Sequence, residues 1–179
     1  MMLLRRSRSL LASLLAGALA VSMLAPVAAA DESGIAGLRA ATAAFHSLAA
    51  AQAAGYTVEV ADLANITCIA DPNGAGTMGI HYLNPSLFDN TINATTPELV
   101  IYVPSGDGQL KLVAVEYLVL QAAWDAANAA PPSLFGEQFH LVPAGNRYGL
   151  PAFYELHVWA WQPNPNGMFY EWNPRVSCG

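Results

Sequence analysis

The chain has two cysteines, Cys68 and Cys178, and a bridge between them is the only disulfide it can form. Such a bridge ties the penultimate residue to the first half of the chain and closes a loop of about 110 residues, which in the chain-entropy model restricts the unfolded state by roughly 4.7 kcal/mol. Any fold that uses it must bring the C-terminal tail back beside residue 68. An even cysteine count means a structural disulfide in an oxidising compartment and metal or redox chemistry in a reducing one, so the compartment decides the reading.

The N-terminus points to that compartment. Arg5, Arg6 and Arg8 precede an apolar stretch from Leu10 to Leu24, then Pro26 and the small residues Ala28, Ala29 and Ala30, the pattern of a signal peptide over residues 1–30. A retained anchor is the alternative, because Ser9 to Ala30 is just long enough to span a bilayer. The alanine-rich end suits cleavage better, and no cysteine follows that would carry a lipid. Cleavage leaves residues 31–179 with four basic and thirteen acidic side chains, a net charge of −9. That excess, with no basic cluster, excludes nucleic acid as a partner. No later apolar run is long enough for stable membrane insertion. The expected location is therefore secreted or periplasmic, with Cys68 and Cys178 joined. With 54% hydrophobic and 11% charged residues, the composition is that of one globular domain, 31–179.

From Ser33 to Ala54, apolar residues at Ile35, Leu38, Phe45 and Leu48 recur at helical spacing and Gly55 supplies a stop, which predicts one long helix. Tyr56 to Val60 reads as a weak strand. Met78 to Leu83, Leu99 to Val103 and Leu110 to Val119 read as strong ones, and Pro104 to Gly108 as the hairpin loop between the last two. Ala122 to Ala130 predicts a short helix, and Ala152 to Trp161 is the strongest strand pattern of all. The tail from Gln162, with its Asn-Pro turns, is irregular. These elements predict an α+β fold, an antiparallel sheet packed against one long N-terminal helix, in a single domain with an irregular, disulfide-tethered C-terminal tail.

Few motifs carry chemistry. Gly74 to Gly79 matches the dinucleotide fingerprint in form, but a strand follows it where the motif requires a helix, so it reads as a turn. What stands out is ionisable side chains set inside strands. His81, Glu116, Glu155 and His157 each interrupt an apolar run, and a carboxylate buried there needs a cation, a metal or several donors. If their strands are neighbours, His81, Glu116 and His157 converge as two imidazoles and a carboxylate, a donor set for zinc, iron or copper. Glu155 stands behind them as base or outer acceptor. The plainer alternative makes both histidines locally bonded core residues and pairs Glu116 with Arg147.

Alternation along the last strand puts Glu155, His157, Trp159 and Trp161 on one face. That face reads as the wall of a small-molecule pocket with Tyr148, Trp159 and Trp161 as binding residues. Arg147 and Glu155 are its catalytic candidates, Arg147 as a clamp for a carboxylate or phosphate.

The run Asn146–Trp161, with Met78–Pro85 and the closing Trp172–Cys178, resembles a group of small exported bacterial proteins of unknown function. The resemblance covers most of residues 40 to 178. It implies export and a single domain, and it carries no mechanism. The expected function is that of a secreted or periplasmic small-molecule-binding protein, with a metal-dependent enzyme using His81, Glu116 and His157 as its catalytic form. The alternative is a non-catalytic envelope or extracellular module whose aromatic surface binds a glycan or a protein.

Overall fold

Runs of β-branched and aromatic residues build most of this molecule. The structure, a computed structural model, describes residues 32–179; the expected signal peptide, residues 1–30, lies outside the described residues. In chain order the elements are α1 (Glu32–Thr42), a 3₁₀ turn (Ala43–His46), α2 (Leu48–Ala53), β1 (Val58–Glu59), β2 (Cys68–Ala70), β3 (Thr77–Leu83), β4 (Leu99–Pro104) and β5 (Leu110–Leu120). They continue with α3 (Gln121–Asp125), β6 (Ser133–Leu134), β7 (Glu137–Gln138), β8 (His140–Val142) and β9 (Phe153–Val158). The main sheet has the order β1-β3-β4-β5-β9-β8, antiparallel throughout, and β2 pairs with the part of β3's outer edge that β1 leaves open. β6 and β7 form a separate hairpin.

The two faces of the sheet are buried differently. One carries Tyr82, Val100, Tyr102, Val115, Tyr117, Leu156 and Val158, packed under Ile35, Leu38 and Ala51 of the helices and under Phe135 and Phe139. This is the main core, and each large side chain removed from water there contributes about 1.5–3 kcal/mol. Three of its tyrosine hydroxyls donate to backbone carbonyls, Tyr56 to Pro97 (2.8 Å), Tyr102 to Phe45 (2.6 Å) and Tyr117 to Ala94 (2.7 Å), while Tyr82 and Tyr154 donate to the carboxylates of Glu59 and Asp125. The other face has two smaller clusters. Leu99, Leu118 and Phe153 lie under Val60, Tyr148 and Leu150, while Ile101, Val103, Val113, Ala114 and Trp159 meet Val176 of the tail. The Cys68–Cys178 disulfide holds that tail, as do paired backbone bonds between Thr77 and Asn173 (3.1 Å each).

The structure overturns the expected long helix, and with it the α+β description. The helical pattern from Ser33 to Ala54 is cut into α1, the 3₁₀ turn and α2. The Thr42 hydroxyl bonds back to the Leu38 carbonyl (2.9 Å). Ser47 is extended (φ −93°, ψ 115°), and its hydroxyl accepts the Ala50 N–H (3.4 Å) as the cap of a new helix. The reason is tertiary. Alanines supply helical spacing but little apolar area, so packing and not propensity sets the helix end, and the break frees the Phe45 carbonyl for the Tyr102 hydroxyl. The domain is an antiparallel sheet with short helical pieces.

A second correction concerns the last strand. β9 stops at Val158, where the Ala160 N–H turns back to the Val158 carbonyl (2.8 Å) and the Trp159 N–H bonds to Met168 (2.9 Å). Trp161 therefore leaves the expected face and packs with the main core.

Gly79 shows how tightly β3 and β4 are joined. It has φ +117°, and a Cβ there would stand 2.4 Å from the Tyr102 carbonyl oxygen, so the position accepts only glycine. It lies two residues before His81.

Candidate metal centre

The dispersed donors come together from the adjacent strands β5 and β9 and from β3, which β4 separates from β5. Glu116 of β5 is the register partner of His157 on β9 and of Leu99 on β4, while His81 of β3 faces Ile101. On this face β4 presents the aliphatic side chains Leu99, Ile101 and Val103 and no competing polar group. His81 Nε2 stands 3.4 Å from His157 Nε2 and 3.4 Å from Glu116 Oε2. The three donor atoms lie within 4.8 Å of one another, and the residues are only 3–4% exposed. Around a tetrahedral ion with bonds near 2.1 Å, adjacent donors stand about 3.4 Å apart, so two of the three edges already have the required length. The cluster can hold a metal ion.

Burial sets the charge state of these groups. It pushes His81 down to about 4, opposed by the Gly79 carbonyl, although no bond to that carbonyl satisfies Nδ1. Burial, and then the neighbouring His81 ring, hold His157 well below the usual histidine range. Glu116 goes the other way, raised first by burial and next by the Glu155 carboxyl; burial raises Glu155 as well. Burial thus disfavours the charged form of all three groups. Facing Nε2 atoms with both Nδ1 atoms lacking a hydrogen-bond partner leave at least one buried ring nitrogen unsatisfied. Neither Nδ1 has the acceptor that usually orients a metal-bound imidazole, so packing alone sets the ring planes.

Beside the cluster is a cavity of about 290 Å³, open on one side. His81 and Glu116 are its ionisable inner residues, Tyr148 and Leu150 form part of its wall, and the rest is mostly aliphatic or aromatic. Tyr148 thus stands where the sequence predicted a binding residue. Its hydroxyl, held above the usual tyrosine range by burial and then by Glu116, makes no hydrogen bond among the described residues. A smaller hollow of about 170 Å³ lies beyond Tyr148, lined by Glu155, Arg147, Glu171 and Trp172 among others.

Arg147 does not pair with Glu116. Its guanidinium binds Asp62 (2.9 and 3.3 Å), while the Leu63 N–H bonds to its carbonyl (2.9 Å). Asp62 also accepts the Ala64 and Ile66 N–H groups (2.9 Å each); the Ile66 bond, then Arg147, hold its carboxyl below the usual range. These bonds latch the loop after β1, whose Val60 and Ala61 line the cavity, to the loop before β9, whose Tyr148 and Leu150 also line it. The predicted aromatic residues lie elsewhere. Trp159 is 2% exposed and donates to the Tyr170 carbonyl (2.6 Å). Trp161 donates to the Thr42 hydroxyl (3.2 Å) and meets the His46 ring edge-on at 4.4 Å. Both line a separate groove with Arg39 and Met168.

Two acidic residues escape the sequence reading. Asp62 sits in a loop with no pattern around it. Glu98 directly precedes the β4 run, which is the one available signal. Its buried side chain accepts the Leu118 N–H (3.0 Å), and burial raises it to about 8.

Comparisons with protein-family models, with curated proteins and with solved structures returned no match. Among the described residues no helix is long and apolar enough to cross a membrane, and the disulfide fits an extracellular location.

Proposed function

We propose that this protein, acting outside the cytoplasm, binds one divalent transition metal through His81, Glu116 and His157 and receives a small molecule in the adjoining cavity. The observation that carries the reading is the pair of 3.4 Å donor edges among buried groups at the inner wall of that cavity. Two imidazoles and one carboxylate, with no thiolate, suit zinc or ferrous iron. An ion there supplies polarisation of a bound oxygen. Glu155, whose carboxyl is next to Glu116, is positioned to hold a proton for it. The glycan or protein alternative loses one of its two tryptophans, since Trp159 is buried.

The test is metal content. Protein purified without chelator, or stripped and reloaded with zinc or ferrous iron, is expected to hold one ion per chain and to melt higher than the stripped form. His157→Ala and Glu116→Gln should lower that stoichiometry to near zero while circular dichroism shows the sheet intact. Wild-type protein that takes up less than a tenth of an equivalent of either metal, with no change in melting temperature, refutes the reading.

A further inference from the structure

The shape and lining of the cavity narrow the class of molecule that fits it. An apolar protein cavity of about 150 Å³ holds benzene. At about 290 Å³ this one has room for roughly ten to twelve non-hydrogen atoms, the size of two fused rings. Val58, Val60, Leu83, Phe88, Leu118 and Phe153 surround that space with carbon. Glu59 is its third ionisable lining residue, exposed, with its carboxylate accepting the Tyr82 hydroxyl (3.0 Å). The buried polar groups of the lining are His81 and Glu116, and Tyr148 shares the wall with its hydroxyl close enough to feel the Glu116 carboxyl.

Charge excludes one ligand class. A carboxylate or phosphate ligand needs a cation, and without bound metal the cavity offers none, because Arg147 on the loop before β9 is spent on Asp62. The cavity's own carboxyl groups are Glu116 and Glu59, and Glu155 and Glu171 line the smaller hollow beyond Tyr148. Of the lining residues Val58 is 42% exposed, and on the latched loop Leu63 and Ile66, which do not line the cavity, are 78% and 47% exposed.

We infer that the cavity binds an uncharged, largely apolar compound of about ten to twelve non-hydrogen atoms, end-on, with a single oxygen bonded by the Tyr148 hydroxyl and turned toward His81 and Glu116. Only the destination of that oxygen rests on the metal reading. The size, apolarity and neutrality of the ligand come from the walls alone.

Calorimetric titration with 2-naphthol, naphthalene and 2-naphthoate tests the inference, using protein both stripped of metal and loaded with zinc. To stripped protein 2-naphthol is expected to bind tightest, naphthalene more weakly and 2-naphthoate not measurably. Tyr148→Phe should weaken 2-naphthol about three- to tenfold, the worth of one neutral hydrogen bond, and leave naphthalene unchanged. Leu150→Trp in the wall should block 2-naphthol and naphthalene, and Leu118→Trp serves as a second filling variant should Leu150→Trp fail to fold. Equal or tighter binding of 2-naphthoate by stripped protein, or no binding of any probe to folded wild type, overturns it. Probe binding to stripped protein that takes up no metal would sink the metal centre and leave this inference standing. Metal uptake with no probe binding would do the reverse.

Discussion

Breaking the Cys68–Cys178 bond should cost much stability and little structure. The bridge spans 110 residues, and the chain-entropy relation gives about 4.8 kcal/mol for a loop of that length, almost all of it acting on the unfolded chain. The folded tail has other anchors. Thr77 and Asn173 keep their paired backbone bonds, and Val176 stays against the Ile101–Trp159 cluster, so the reduced protein is expected to keep the native sheet. For a domain of about 150 residues each kcal/mol moves the melting temperature by roughly 2–4 °C, which places the loss near 10–20 °C. The assay is urea and thermal unfolding of wild type with and without reductant, beside a Cys68→Ala/Cys178→Ala double variant that should match the reduced wild type and ignore reductant. The urea slope should steepen, because an uncrosslinked unfolded chain exposes more surface. A fall of less than about 3 °C, or free thiols in the untreated protein, would show that the bridge does not act in this way.

Three further outcomes are expected. Gly79→Ala should destabilise by at least about 2 kcal/mol in urea unfolding, since a left-handed backbone strain is joined to a clash with the Tyr102 carbonyl; a neutral result would refute the close β3–β4 approach. Glu98, raised to about 8 in the fold, keeps a proton that the unfolded chain releases above about 4.5. Stability relative to Glu98→Gln should accordingly fall as pH rises from 5 to 8, by up to about 3.5 kcal/mol, and parallel urea profiles for the two proteins would contradict it. Asp62→Asn removes the ionic half of the latch to Arg147, so hydrogen exchange at amides 63–66 should quicken while the central strands keep their protection. Unchanged exchange there would show that the backbone bond from Leu63 holds the loop unaided.

Most of the sheet was legible because its strands are long enough to show their pattern: β3, β4, β5 and β9 all lie where the β-branched and aromatic runs predicted them. The convergence of His81, Glu116 and His157 was legible for the same reason. A charged group within an apolar strand must find a partner, and strand alternation says on which face. Features set by contacts distant in sequence could not be read. The helix breaks where the Tyr102 hydroxyl needs the Phe45 carbonyl, 57 residues away in sequence. Trp161 leaves its expected face because Met168 bonds to the Trp159 N–H and ends β9. Arg147 is drawn from Glu116 by Asp62, whose loop has no periodicity to announce it. β1 showed only as the weak run Tyr56 to Val60, and the two-residue strands β6 and β7 are too short for any pattern to rise above the surrounding loops.

The margins of the main sheet carry a consequence for behaviour at high concentration. On one side the outer edge of β3 is already covered piecewise by a two-residue and a three-residue strand, and on the other the border strand is three residues long. A stranger's backbone arriving at either side would find two or three vacant hydrogen-bonding positions, too few to template the stacking from which fibrils grow. The most β-prone segments, in β4 and β5, are flanked on both sides by this molecule's own strands and would be bared only by global unfolding.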